Sequence, residues 1–261
     1  MKTSPNPYRT MLMSVAGAII LLAFEPAARA QAAEPVFPEF QDTFPLFDCR
    51  LSPHGVNTYF MPLIPNFRLL LEGEEEGETG TVLIQVLRRT RVVDGVRCAV
   101  IRETEWVDDG LVEISWNYIV ICLRHRDVFY YGEDVDIYED GEVVSHDGAW
   151  LAGEDGAMPG LLMPGYPLVG SRYYQEIAPG VAQDRAEHLS VTEIVATPAG
   201  TFDHCLLVEE STPLEPGELS YKHYAPGVGL ITDDFLELVD YGFGDRYRKS
   251  RDDDEEEDDD D

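Results

Sequence analysis

Basic residues are scarce: the 261-residue chain carries 19 Lys and Arg against 50 Asp and Glu, a formal net charge of −31. A surface so short of cations repels nucleic-acid phosphates and anionic lipid, which excludes a nucleic-acid-binding role. After the first 30 residues no apolar run approaches the roughly 20 residues that a membrane-spanning helix needs. Cysteine is limited to Cys49, Cys98, Cys122 and Cys205, with no CxxC, CxxCH or Cys/His spacing of a zinc or haem site. The six histidines form neither HxH nor HExxH, and there is no GxSxG elbow for a serine nucleophile. Ser145, His146 and Asp147 are the residue types of a relay, but they are contiguous. Neighbours on a strand point to opposite faces, so the three cannot act on one another. Helical periodicity longer than two turns is missing, and so is any internal repeat.

What is present begins with a secretory signature. Lys2 and Arg9 precede an apolar run from Met11 to Phe24 and a small-residue site, AARA, ending at Ala30. That pattern predicts a cleaved signal peptide over 1–30, no transmembrane segment in the mature chain, and a periplasmic or extracellular location. Residues 31–50 read as an aperiodic leader, 51–245 as one β domain, and 246–261 as a disordered charged tail. The tail, RYRKSR followed by DDDEEEDDDD, is a charge block of the kind that serves as an interaction arm, here for a basic partner. In an exported chain the four cysteines point to disulfides, and the residues alone leave the pairing open.

Strand and turn signals alternate from Asn66 onward. FRLLLE ends at GEEEGETG, TVLIQVLRRTRVV at Asp94-Gly95, and VRCAVIRETEWV at Asp108-Asp109-Gly110. Apolar residues fall on even positions in both 96–106 and 112–122, the period of two that marks strands with one buried face. A three-residue loop at 108–110, with Gly110 left-handed, lets both even faces meet and sets Cys98 opposite Val120. Cys98 and Cys122 are then diagonal, about 7–8 Å apart and poorly placed to bond. The fold class predicted is all-β: a single antiparallel, meander-like curved sheet or open barrel.

Several phrases, among them FYYGEDVDIYEDGEVVSHDGAW, YYQEIAPGVAQDRAE, TPAGTFDHCL, TPLEPG and YAPGVG, resemble a functionally uncharacterised family of exported bacterial β-rich proteins. The resemblance covers about Asn66 to Phe243 and implies export and a β-rich fold, with no enzyme class attached. It also implies a Cys122–Cys205 disulfide, because cysteines at those two positions recur together, and leaves Cys49–Cys98 as the weaker second pair.

Two stretches carry the candidate chemistry. YYGEDVDIYEDGEVVSHDGAW (130–150) holds seven carboxylates but fails the EF-hand pattern, with Tyr138 and Glu139 where a ligand and a glycine belong. A different oxygen cage for a cation such as calcium would take Glu133, Asp134 and Asp136 with Glu176 and Asp184 from YYQEIAPGVAQD. In the 150–168 segment, Met158, Leu161, Leu162 and Met163 are candidates to line or cover a pocket for an apolar, lipid-like ligand. The expected role is therefore binding, of a small apolar ligand or a cation, rather than catalysis. The alternatives are an extracytoplasmic hydrolase using Glu133, Asp134, Glu176 and Asp184, and a structural or surface-associated protein without a pocket.

Overall fold

The acidic turns of the sequence sit where the backbone goes left-handed. Glu76-Gly77, Asp94-Gly95, Asp108-Asp109 and Asp140-Gly141 each have two successive positive φ values, the geometry of a two-residue type I′ hairpin loop. Acids are thus tolerated in this conformation, and they keep the loop tips hydrated.

These turns belong to a computed structural model that describes residues 40–244. The first seven strands are β1 (Leu51–Ser52), β2 (Phe67–Glu75), β3 (Glu78–Val93), β4 (Val96–Val107), β5 (Gly110–Cys122), β6 (Val128–Glu139) and β7 (Glu142–Ser145). Then follow β8 (Trp150–Leu151), β9 (Gly160–Met163), β10 (Arg172–Tyr174), β11 (Arg185–Thr197), β12 (Gly200–Ser211), β13 (Ser220–Ala225), β14 (Gly229–Asp233) and β15 (Leu236–Phe243). All fifteen belong to one antiparallel sheet, which does not close into a barrel. The predicted fold class is the one found.

The sheet is two meanders joined edge to edge. One runs β2 to β7 and the other β10 to β15, and the seam is the β15–β2 ladder, with Leu238 opposite Leu71 and Phe243 opposite Phe67. Short β8 and β9 fold back onto β6. Among the described residues the only helical turn is a 3-10 turn at Leu46–Asp48, and no helix is long and apolar enough to cross a membrane. Leu69, Leu71, Ile119, Leu206, Ile231 and Leu238 are essentially sealed from solvent. Each contributes roughly 1.5–3 kcal/mol of burial.

Three expectations need correction. First, the 108–110 loop has two residues, with Val107 opposite Gly110, and the odd residue appears instead as a bulge between Glu105/Trp106 and their partners on β5. The β4–β5 register beyond the bulge is the predicted one, with Ala99 opposite Ile119 and so Cys98 next to Val120's rung.

Second, the disulfide joins Cys49 to Cys122, with Cα atoms 5.1 Å apart, while Cys98 and Cys205 are buried free thiols. Neither the Cys122–Cys205 pair nor Cys49–Cys98 forms. The physical reason is β1: Leu51 pairs with Cys122 and Ser52 with Ile121, so the chain just before β1 is delivered to the end of β5. Third, the leader reading of 31–50 fails from Phe40 onward. Gln41 donates to Arg172 O (3.0 Å) and accepts from Tyr174 N (2.9 Å), and Phe44 packs edge-on against Phe129. The expected signal peptide over 1–30, the first expected leader residues and the acidic tail lie outside the described residues.

Candidate functional site

Glycines decide which acids meet. Tyr130 on β6 points into the curve of the sheet, and simple alternation would send Gly132 and Asp134 the same way. A bulge intervenes: Ile119 pairs with Tyr130 but Asn117 pairs with Glu133, so Glu133 follows Tyr130 inward and Asp134 turns outward. Gly132 holds the bulge at φ +128°, and a Cβ there would sit 2.3 Å from Trp150 O. On β9, Gly160 lies opposite Tyr130, and Gln175 O passes 2.0 Å from where its Cβ would be. That close approach brings Gln175 and Glu176 up to β6.

The result is a cavity of about 250 Å³ inside the curve, lined by Glu133, Glu176 and Asp184 together, as the sequence suggested for these three. Five further acids join them: Glu103 and Glu105 from β4, Glu113 from β5, Glu210 from β12 and Asp233 from β14. Eight carboxyls face one ammonium, Lys222 of β13. The rest of the lining is apolar, with Met61, Leu69, Ile84, Ile119, Leu162 and Leu230, and Ile84 pairs directly with Glu103 across the β3–β4 ladder. Sequence reasoning missed three of the five because 103, 105 and 113 occupy the odd positions of strands whose even positions are apolar. The signal was the acids' own shared parity, which reads as a solvated face when the apolar side is taken as the inside.

Lys222 is already engaged, its Nζ 2.9 Å from Glu210 and 3.3 Å from Asp233, and Gln175 Nε2 donates to the other Glu210 oxygen at 2.9 Å. Burial works against the charged Lys222, yet Asp233 and Glu210 outweigh it and hold its pKa well above the usual lysine value. Among the described residues the remaining acids have no ion pair, and Lys222 offsets only part of their mutual repulsion. Burial, then the neighbouring Glu103, raises Glu113 to about 7. Glu113 stands directly opposite Glu105, so the two charges also repel across the ladder. Glu103, Glu105 and Glu133 are raised first by burial and then by one another and by nearby acids. Glu176 is pushed up by burial, then by Glu133 and Asp184, and Asp184 by burial, then by Glu210. Tyr130 donates to Asn117 Oδ1, and Asn117 Nδ2 donates to Ser115 Oγ at 3.1 Å, which fixes the floor between Glu133 and Glu113. Such a chamber takes up protons when empty and gives them up to a positive guest.

The calcium set is not assembled. Asp134 and Asp136 lie on the far face of β6, where Asp134 accepts from Arg91 and from Tyr118 and Asp136 lies 2.8 Å from His146 Nδ1. Among the described residues no group of three His, Cys, Asp or Glu is placed to hold a metal ion. The four apolar candidates scatter as well: Leu162 lines the cavity, Met163 is buried core, Leu161 pairs with Phe129, and Met158 is half exposed and bridges Ile177. Their segment is strand added to β6, and its backbone ladder replaces the flexible cover expected. No family model matches the chain, and no curated protein or solved structure matches it, so the resemblance drawn above rests on the quoted phrases alone.

Proposed function

We propose that this is an exported binding protein for a small organic cation, a molecule with an apolar body and an amine or other positive head. One observation carries the reading: a cavity within a single curved sheet is lined by an aliphatic wall section together with eight carboxyls, with one ammonium that is already paired. The aliphatic wall takes the apolar body, as the expected apolar ligand required, and the acids take the positive charge, as the expected cation required. Raised carboxyls give the binding a pH dependence. At low pH the acids are protonated and attract a cation weakly. Near neutrality a cation displaces their remaining protons at the cost of part of the pairing energy, and as pH rises further that cost disappears. The disulfide fits an oxidising compartment outside the cytoplasm.

Calorimetry with primary alkylamines, matched alcohols and matched carboxylic acids tests this. Amines are expected to bind at pH 8 with release of protons, alcohols less tightly, and acids not at all, and Glu133→Gln with Glu176→Gln is expected to remove the preference. Carboxylic acids binding as well as amines would refute it. A second reading, hydrolysis with acid–base carboxyls, draws on the same raised Glu133 and Glu176, since a general acid must hold its proton near neutral pH. Turnover of glycoside or ester substrates that disappears in Glu133→Gln, in a protein that binds no amine, would favour it instead.

A further inference from the structure

The far face of the sheet carries an unusual feature for so acidic a chain. β3 breaks register between Val86 and Thr90, and the break throws Arg88 and Arg89 out into solvent. Neither has an ion-pair or hydrogen-bond partner among the described residues. Next to them is an open groove of about 570 Å³, lined by Arg89, Arg91, Trp116, Tyr118 and His146 together with Asp134 and Asp136. The two acids are spoken for: Asp134 by Arg91 and Tyr118, Asp136 by His146. Arg91 also lies over the Tyr118 ring, 4.6 Å from its centroid, so its position is fixed. The groove therefore offers the unpaired guanidinium of Arg89, with exposed Arg88 next to it in the chain, one pre-positioned guanidinium and aromatic walls.

The described chain ends close by. Gly244 N donates to Asn66 O at 3.3 Å, and Asn66 N donates to Val86 O at 2.8 Å, immediately before the break. Crossing from β15 over β2 to β3 and moving three residues along β3 is a path of about 20 Å, at ~4.8 Å between strands and ~3.4 Å per residue. Asp252, the first residue of DDDEEEDDDD, is eight residues past Gly244. Extended chain covers roughly 3.3–3.6 Å per residue, so the run reaches the groove without strain. Elsewhere on the molecule such a run meets mainly like charge, given 50 acids against 19 bases.

We propose that the groove beside Arg88 and Arg89 is the docking site of the chain's own acidic run, 252–261. The run lies along the broken edge of β3, its carboxylates on Arg88 and Arg89 and its backbone against Trp116. Tethering keeps the local concentration in the millimolar range, which makes individually weak surface pairs sufficient together.

Trp116 is a reporter in the groove itself. In NMR spectra its indole N–H signal, assigned with Trp116→Phe, is compared between the full chain and a chain ending at Arg251. The signal is expected to differ between the two at about 0.01 M salt and to coincide near 1 M, as the screening length falls from ~30 Å to ~3 Å. Arg88→Gln with Arg89→Gln is expected to give the full chain the truncated chain's signal, and a peptide of residues 252–261 added to the truncated chain is expected to restore the original one. Both substitutions are on exposed side chains, and unchanged Trp106 and Trp150 signals verify the fold. Identical Trp116 signals at low salt, or a difference that survives the double Gln variant, overturn the proposal. A difference that appears only as protein concentration rises assigns the groove to the tail of a second copy and overturns it equally.

Discussion

The cavity acids make an unusual demand on stability, and Glu113→Gln measures it. A carboxyl whose pKa is raised on folding holds its proton more tightly in the folded than in the unfolded chain. Stability is therefore complete below the unfolded value near 4.5 and falls as pH rises toward the folded value of about 7. The displacement corresponds to about 3 kcal/mol at ~1.36 kcal/mol per pH decade. The cavity admits water, and hydration returns part of that cost, which leaves about 1–2 kcal/mol for the single side chain. Glutamine keeps the shape and removes the ionisation. In urea unfolding the native protein is expected to lose stability between pH 5 and pH 8. Glu113→Gln is expected to match it at pH 5 and exceed it by about 1–2 kcal/mol at pH 8. Glu74→Gln, on an exposed acid at the end of β2, controls for general charge reduction. An advantage of equal size at pH 5 and pH 8, or none at pH 8, would refute the argument that burial and the neighbouring Glu103 hold this carboxyl up.

Mass mapping of a non-reduced digest is expected to link Cys49 to Cys122 and to find Cys98 and Cys205 as thiols. Cys49→Ser is expected to cost about 4 kcal/mol, because the bond spans a sequence separation of 73. Gly160→Ala, which drives a methyl group into Gln175 O, is expected to lower the melting temperature by several degrees and to weaken amine binding, since it displaces Glu176. Glu133→Gln is expected to weaken amine binding measured by calorimetry, whereas Asp134→Ala leaves it unchanged, because the two neighbours face opposite sides of the sheet; equal effects would refute the bulge argument.

The legible parts of this molecule were those that depend on local geometry. Asp-Gly turns and the period of two identify the hairpins, and three of the grouped acids, Glu133, Glu176 and Asp184, line one cavity. Asp134 was wrongly included because the bulge at Gly132 depends on β8 approaching from outside, which no local pattern signals. The even-numbered face of β4 and β5 is buried as expected, at Cys98, Val100, Tyr118, Val120 and Cys122, but the odd-numbered face is no solvated face, since Glu103, Glu105 and Glu113 turn toward the cavity. Alternation reports that a strand has two unlike faces and is silent on which one the sheet curves around. The Cys49–Cys122 bond was hidden in the same way, since a two-residue strand such as β1 exists only through its long-range partner.

The seam between β15 and β2 has a consequence for how the chain comes into being. A chain emerging amino-terminus first can zip β2 through β7 as successive hairpins, but one side of β2 stays open until Phe243 and its neighbours arrive. During that interval the row of amides and carbonyls on β2, flanked by Phe67, Leu69 and Leu71, is a template for any other nascent chain. Completion of the last strand is thus the event that turns a sticky half-sheet into a finished product. Premature termination anywhere before Leu236 would release a species primed to polymerise.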